Sequence, residues 1–234
     1  LWLAGDLKLR IGLPRKSELR EMVPFALVYL PTGFGLVAVP LTDRLIISHI
    51  LGFSENGLYG VAALFGSALF VGINGFLHAW MPWLFQRLGQ LRTNYRKEVS
   101  AVSFGFILLL PVMGLVFYMV AIVAAPFLIG EAFTSAFDLI PWAIAGTVAM
   151  GYFFHNQAFL HFRKAILPMS ISSLVCIVMN AVLSYYGALH YGVAGVLAAT
   201  IGAFMISAAI SGVYMVLHYN VFGSLLAFAQ GNAR

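Results

Sequence analysis

The sequence predicts an all-α integral membrane protein, a six-transmembrane-helix bundle, and three observations carry that prediction. Of its 234 residues, 62% are hydrophobic and 15% aromatic, and only 9% are charged, where soluble domains average roughly 25%. No soluble fold of this length has enough interior to hide so much apolar surface. The uncharged stretches are long and continuous rather than short and alternating, which excludes an outer-membrane barrel. The basic residues, finally, fall almost entirely on one side of the topology that those stretches define.

Each span consumes about 20 residues, which leaves room for roughly six. Residues 1–21 read as a cytoplasmic basic segment, the tail of a preceding region. Leu1 is not Met, and LWLAG is too short and too soon followed by Asp6 and Lys8 to be a signal peptide. The gaps between charges then mark spans at about 22–51, 56–85, 99–128 and 139–162. The run from Ala165 to Ala233 is too long for one crossing at about 1.5 Å per residue, so it must turn once. YYGALHYG, residues 185–192, supplies two glycines for the turn and tyrosines for an interface. That gives spans of about 164–185 and 191–218, with residues 219–234 as a cytoplasmic tail.

Positive charge orients the bundle, because short cytoplasmic loops collect Lys and Arg. Lys8, Arg10, Arg15, Lys16 and Arg20 lie in the leading segment. Arg87, Arg92, Arg96 and Lys97 follow the second span, Arg163 and Lys164 follow the fourth, and Arg234 ends the tail. The opposite loops, around 52–56, 130–137 and 187–191, hold no Lys or Arg. Both ends of the segment are therefore expected on the cytoplasmic side of the inner membrane, and Arg44 alone is left unplaced. The net charge of +5 does not argue for nucleic acid, since the basic residues do not gather on one soluble face. Cys176 has no intramolecular disulfide partner and reads as a packing residue.

Within the spans, pairs of small residues four apart, such as Ala62 and Gly66 or Gly195 and Ala199, put small surfaces on one helix face for close packing. Pro24, Pro31, Pro40, Pro111 and Pro126 remove backbone donors and permit bends. Ionisable groups in spans cost about 2.5–3.5 kcal/mol on insertion scales, so each needs a reason. Asp43 and Arg44 are the clearest cases; adjacent on a helix, they project about 100° apart. Asn74 and His78 share a face one turn apart. Ser173, Cys176, Asn180 and Ser184 form a polar stripe suited to interhelical hydrogen bonds. His155, Asn156, Gln157 and His161 sit near the expected cytoplasmic end of the fourth span, where solvation is the simplest reading, and Glu131 and Asp138 read as solvated loop acids.

No HExxH, Walker loop, GxSxG or paired-carboxylate motif is present; neither a catalytic residue, a metal site nor a cofactor is expected. The order of motifs is more informative. LREMVPFALVYLP (19–31), TDRLIISHILG (42–52), ENGLYGVAALF (55–65), AWMPWLF (79–85), PFLIGEAFTSAFDLIPWAIAG (126–146), HFRKAILP (161–168), NAVLSYYG (180–187) and YGVAGVLAATIGAF (191–204) follow in sequence. This series resembles the C-terminal half of the polysaccharide-biosynthesis family, the Wzx-like flippases of the multidrug/oligosaccharidyl-lipid/polysaccharide exporter superfamily.

The resemblance implies one lobe of a two-lobed exporter, whose N-terminal lobe is a partner outside this sequence, with a cavity between the lobes lined by the first two helices of each. It implies a lipid-linked oligosaccharide as substrate, moved by alternating access, with Arg44, Asn74 and His78 as substrate-binding residues; a guanidinium suits pyrophosphate by charge and geometry. Arg87, Arg92, Arg96 and Lys97 are candidates for attracting anionic head groups to the cytoplasmic mouth, or for touching anionic membrane lipids and setting topology. A polysaccharide polymerase and ligase are candidate partners. Two alternatives stay open. A cation-coupled multidrug exporter of the same superfamily would use Asp43 for ion coupling, although the adjoining Arg44 is expected to neutralise it. A membrane-embedded glycan ligase or acyltransferase would need a catalytic His or acid in an outer loop, where only Glu55, Glu131 and nearby Asp138 are available.

Overall fold

In a computed structural model of the chain, residues 16–89 and 95–219 are described. Apart from short turns these residues are helical, with no strand among them: α1 (Lys16–Ile50), α2 (Phe53–Gly89), α3 (Tyr95–Leu128), a short 3-10 helix (Glu131–Leu139), α4 (Ile140–Phe162) and α5 (Ile166–Tyr219). The five α-helical segments are long and apolar enough to cross a membrane. α1 begins at Lys16, inside the segment read from sequence as a basic tail. The segments 1–15 and 220–234, and with them most of the two predicted cytoplasmic ends, lie outside the described residues, as does Arg92.

The connections are tighter than the charge gaps suggest. After α1 ends at Ile50 the chain turns at Gly52, whose φ of +100° only glycine adopts without strain. The amides of Leu51 and Gly52 both close on the Ile47 carbonyl, at 2.8 and 3.0 Å, and α2 starts at the next residue. Where a loop is expected around 130–137, the 3-10 helix instead folds over the start of α2, with the Phe133 ring against Gly57.

The turn of the last long run falls at the final residue of the predicted segment 185–192. Residues 185–191 stay helical, and the backbone leaves helical geometry at Gly192, φ +62° and ψ −146°. There α5 doubles back. Gly187 and Gly195 meet backbone to backbone, and Asn180 reaches Thr200, so residues 166–191 and 193–219 run antiparallel. Each arm is about 40 Å long at 1.5 Å per residue, enough for a hydrocarbon core of about 30 Å. A side chain at either glycine would collide with the opposite backbone, which cannot yield as a side chain can.

α4 is the central helix, packed against α2, α3 and both arms of α5, and α1 lies mainly on α5. On α2 the predicted small face meets α4. Gly66 lies against the Ala143 carbonyl and the Thr147 hydroxyl, which a Cβ would approach to 3.1 and 2.8 Å. α3 turns much of its apolar surface outward, including Leu108, Val112, Leu115 and Val116, as a lipid-facing helix does. Pro111 leaves the Ile107 carbonyl without its helical donor. The Tyr152 hydroxyl of α4 supplies one at 3.0 Å, so the break in α3 becomes a bond between helices.

Candidate functional site

The Asp43 carboxylate is completely buried. α1 carries it to the place where α2 and both arms of α5 converge, and four side chains close on it. Ser184 donates to Oδ1 at 2.9 Å and Asn180 Nδ2 at 3.1 Å, both from the first arm. Thr200 of the second arm donates to Oδ2 at 2.8 Å, and the Tyr59 hydroxyl of α2 at 3.2 Å. Asn180 also reaches Ser184 and Thr200, at 3.3 and 3.1 Å, linking the two arms through its amide. Bonds to an ionised group contribute about 1.5–3 kcal/mol each, on the scale needed to offset an effective desolvation cost of several kcal/mol.

One atom of this cluster is left over: Asn180 Oδ1 is buried and accepts no hydrogen bond. Turning the amide over would set that oxygen against the Asp43 carboxylate, so the assignment is fixed by charge. The cluster therefore holds a carboxylate, a carboxamide and three hydroxyls, with the free acceptor Asn180 Oδ1 among its oxygens. Hard monovalent and divalent cations take such all-oxygen ligands. Beside Asp43 opens a cavity of about 220 Å³, lined also by Tyr59, Ser67, Thr147 and Thr200.

Arg44 does not neutralise Asp43. Its guanidinium lies 6.0 Å from the centre of the Tyr59 ring and close to Gly60, and the residue is exposed. The 100° offset between neighbours on a helix sends the acid into the bundle and the base out of it. Tyr59 touches both, its hydroxyl on Asp43 and its ring beneath Arg44.

Asn74 and His78 stand elsewhere. They line a second cavity of about 370 Å³, together with Gln157 and His161 of α4 and the apolar Phe70, Leu77, Met81, Phe154 and Ala158. The two cavities follow one groove. Positions 63, 66, 67 and 70 of α2 and 143, 146, 147 and 150 of α4 line the first; 70, 74, 77, 78 and 81, with 154, 157, 158 and 161, line the second. This is the three-and-four spacing of one helix face on each of two parallel helices. Phe70 belongs to both cavities, and its ring stands 6.2 Å from that of Phe154.

The cluster around His155 departs most from the sequence reading. His155, Asn156 and Gln157 are buried, not solvated. The imidazole is stacked between Trp80 and Phe106, with ring centres 5.2 and 5.3 Å away. Asn156 Oδ1, 3.3 Å from Nδ1, can only accept, so the proton sits on Nδ1 and Nε2 accepts the Ser103 hydroxyl at 3.0 Å. Asn156 in turn donates to the Ala208 carbonyl at 2.9 Å. Gln157 Nε2 is directed to Ser172 and Ser173 at 3.1 and 3.4 Å, while its Oε1 is buried without a donor.

Of the basic loop, Arg87 pairs with Glu98 at 3.3 Å and lies over the Trp83 ring. Lys97 is exposed at the start of α3, and Arg96 lies in the first turn of the same helix. Glu131 and Asp138 are exposed as expected. Tyr59 and Thr200 were missed by sequence reasoning, since a tyrosine in GLYG and one threonine in an alanine-rich run carry no signal until the arms of α5 are folded together.

No family model, curated protein or solved structure matches the chain significantly.

Proposed function

We propose that this chain is a transport lobe of the polysaccharide-biosynthesis type, with Asp43 as its ion-coupling residue. With the arms of α5 counted as separate crossings the lobe has six, both ends facing the cytoplasm across the inner membrane. A second lobe completes the transport cavity. The carrying observation is the buried Asp43 carboxylate, held jointly by α1, α2 and both arms of α5 and opening on a cavity. An ionisable group at such depth is by default functional. One that ties helices together also converts binding of a cation or proton into a change of helix packing.

The mechanism follows from that placement. Binding of a cation at Asp43, or its protonation, redirects the four bonds that hold α1, three to α5 and one to α2. Release restores them. The groove between α2 and α4 opens to one side in one state and to the other in the second. The substrate, by the resemblance in motif order, is a lipid-linked oligosaccharide whose pyrophosphate meets Arg44 and whose head group meets Asn74 and His78. Polymerase and ligase enzymes would consume it after release.

The Asp43 cluster serves a cation-coupled multidrug exporter equally well, and the free oxygen of Asn180 favours keeping that second reading. Two substitutions in the whole protein separate them. Asp43→Asn abolishes gradient-driven transport in proteoliposomes under either reading; retention of gradient dependence would overturn both. Arg44→Glu blocks polysaccharide export if the substrate carries pyrophosphate and spares efflux of cationic drugs. Unchanged export in both Arg44→Ala and Arg44→Glu removes the phosphate role.

A further inference from the structure

We propose that Tyr59 is a positioning residue, and that through it a cation at Asp43 and an anion at Arg44 exclude one another. The inference rests on the transport reading for its two ligands and adds how one site senses the other.

Two charged neighbours on α1 would ordinarily affect each other only through space. That effect favours joint occupancy, since a cation on Asp43 neutralises the negative charge beside Arg44 and so strengthens any anion bound there. The structure adds a second route of opposite sign. Tyr59 of α2 meets both residues: its hydroxyl donates to Asp43 Oδ2 at 3.2 Å, and its ring lies beneath the Arg44 guanidinium, 6.0 Å from the ring centre. Tyr59 is 4% exposed while Arg44 is exposed, so the phenol joins the interior of the bundle to its surface. Gly60 beside it puts no side chain between the guanidinium and α2. Among the described residues no carboxylate pairs with Arg44, which leaves the ring as its seat.

A phenol is rigid, so hydroxyl and ring move as one body about two side-chain torsions. While Asp43 is ionised, a charge-assisted bond, roughly twice as strong as a neutral one, holds the hydroxyl and with it the ring. Arg44 is then kept over the aromatic face by its cation–π contact. Its N–H donors lie in the guanidinium plane and stay free for the oxygens of an anion. A cation on the carboxylate takes the lone pairs that Tyr59 uses. The hydroxyl loses its anchor, the ring its orientation, and the long Arg44 side chain the seat that pre-organises it, so the anion is bound more weakly. By linkage the anion weakens the cation by the same factor. Mutual exclusion of this kind is what exchange of one ligand for another requires.

The test measures the affinity for inorganic pyrophosphate by calorimetry on the full-length protein in nanodiscs. The unmodified protein is compared with Asp43→Asn, which removes the charge as a bound cation does, with Tyr59→Phe, and with the double variant. Asp43→Asn weakens pyrophosphate about fivefold when residue 59 is tyrosine, the lower end of ordinary coupling between sites. In the Tyr59→Phe background, where only the through-space effect remains, the same change leaves binding unchanged or strengthens it. An equal change in both backgrounds, or tighter binding in Asp43→Asn alone, would overturn the inference; a merely structural tyrosine lowers affinity without altering that difference. Arg44→Gln tells the two failures apart. If it leaves pyrophosphate binding unchanged, the phosphate role in the proposed function falls together with the inference. If it abolishes binding while both backgrounds respond alike to Asp43→Asn, the inference alone fails. Should Asp43→Asn misfold, fluorotyrosine labelling supplies a second readout. The fluorine resonance that Tyr59→Phe removes shifts on adding pyrophosphate and does not shift in Arg44→Gln; a resonance that stays still in the unmodified protein sinks the inference.

Discussion

The two compartments of the α2–α4 groove differ chiefly in charge: the Asp43 carboxylate stands at the first, and among the described residues no Asp, Glu, Lys or Arg lines the second. Around Asp43 four side chains, from α2 and both arms of α5, turn their donors to a single carboxylate, and removing any one leaves charge exposed to an apolar interior. Around Gln157 no carboxylate gathers the donors, and each cluster keeps one buried acceptor without a protein partner, Asn180 Oδ1 in the first and Gln157 Oε1 in the second. The first arrangement holds helices together and stores the consequences of a change in charge. The second holds Gln157 of α4 to Ser172 and Ser173 of α5 without a charge. On the proposed function, coupling belongs to the Asp43 end of the groove.

The comparison breaks most readily at Asp43. Asp43→Ala strands four donors and is expected to cost about 3–5 kcal/mol, as loss of one partner from a buried charged cluster does; unfolding in mixed micelles measures it. Asn180→Leu comes next, at about 2–3 kcal/mol, because its amide bonds both arms of α5 as well as the carboxylate. Gln157→Leu sharpens the contrast. It removes two hydrogen bonds to serines but also an orphaned acceptor, so its cost should stay within about 1 kcal/mol. If Gln157→Leu proves as damaging as Asn180→Leu, the inner compartment is structural and the distinction fails.

Two smaller effects calibrate the scale. Tyr152→Phe leaves the Ile107 carbonyl, already deprived of its helical donor by Pro111, without a partner; a loss of about 1 kcal/mol is expected by the same unfolding measurement. Glu98→Gln breaks the ion pair with Arg87, whose side chains are 35% and 47% exposed. Solvent screens such a pair, and the change should fall below about 0.5 kcal/mol.

How much of this was legible beforehand varied with the physics involved. The stripe of Ser173, Asn180 and Ser184 was visible because helical periodicity fixes which residues share a face. Its target was not, because Asp43 lies 137 positions from Asn180 and only folding joins them. The Asp43–Arg44 pair was legible in part. The sequence showed the two side chains projecting about 100° apart, yet neutralisation of the acid by its neighbour was expected, and the packing of α5 decided that the acid would be inside and the base outside. The placement of His155 and Gln157 in the core was likewise hidden. Position near the end of an apolar run suggests solvent, whereas α4 proved to be the helix that the others surround.

Sequence alone determined the helical, membrane-spanning class, because 62% hydrophobic residues leave no other solvent for so much apolar surface. It determined the helix positions to within a few residues, because charges are too costly in a bilayer to be scattered. Tertiary structure decided the rest: that α5 doubles back at Gly192, that its two arms grip one carboxylate, and that the face shared by α2 and α4 encloses two compartments. Those outcomes depend on which helix faces meet. Each helix here is apolar nearly all round, so its own pattern does not say which side turns inward.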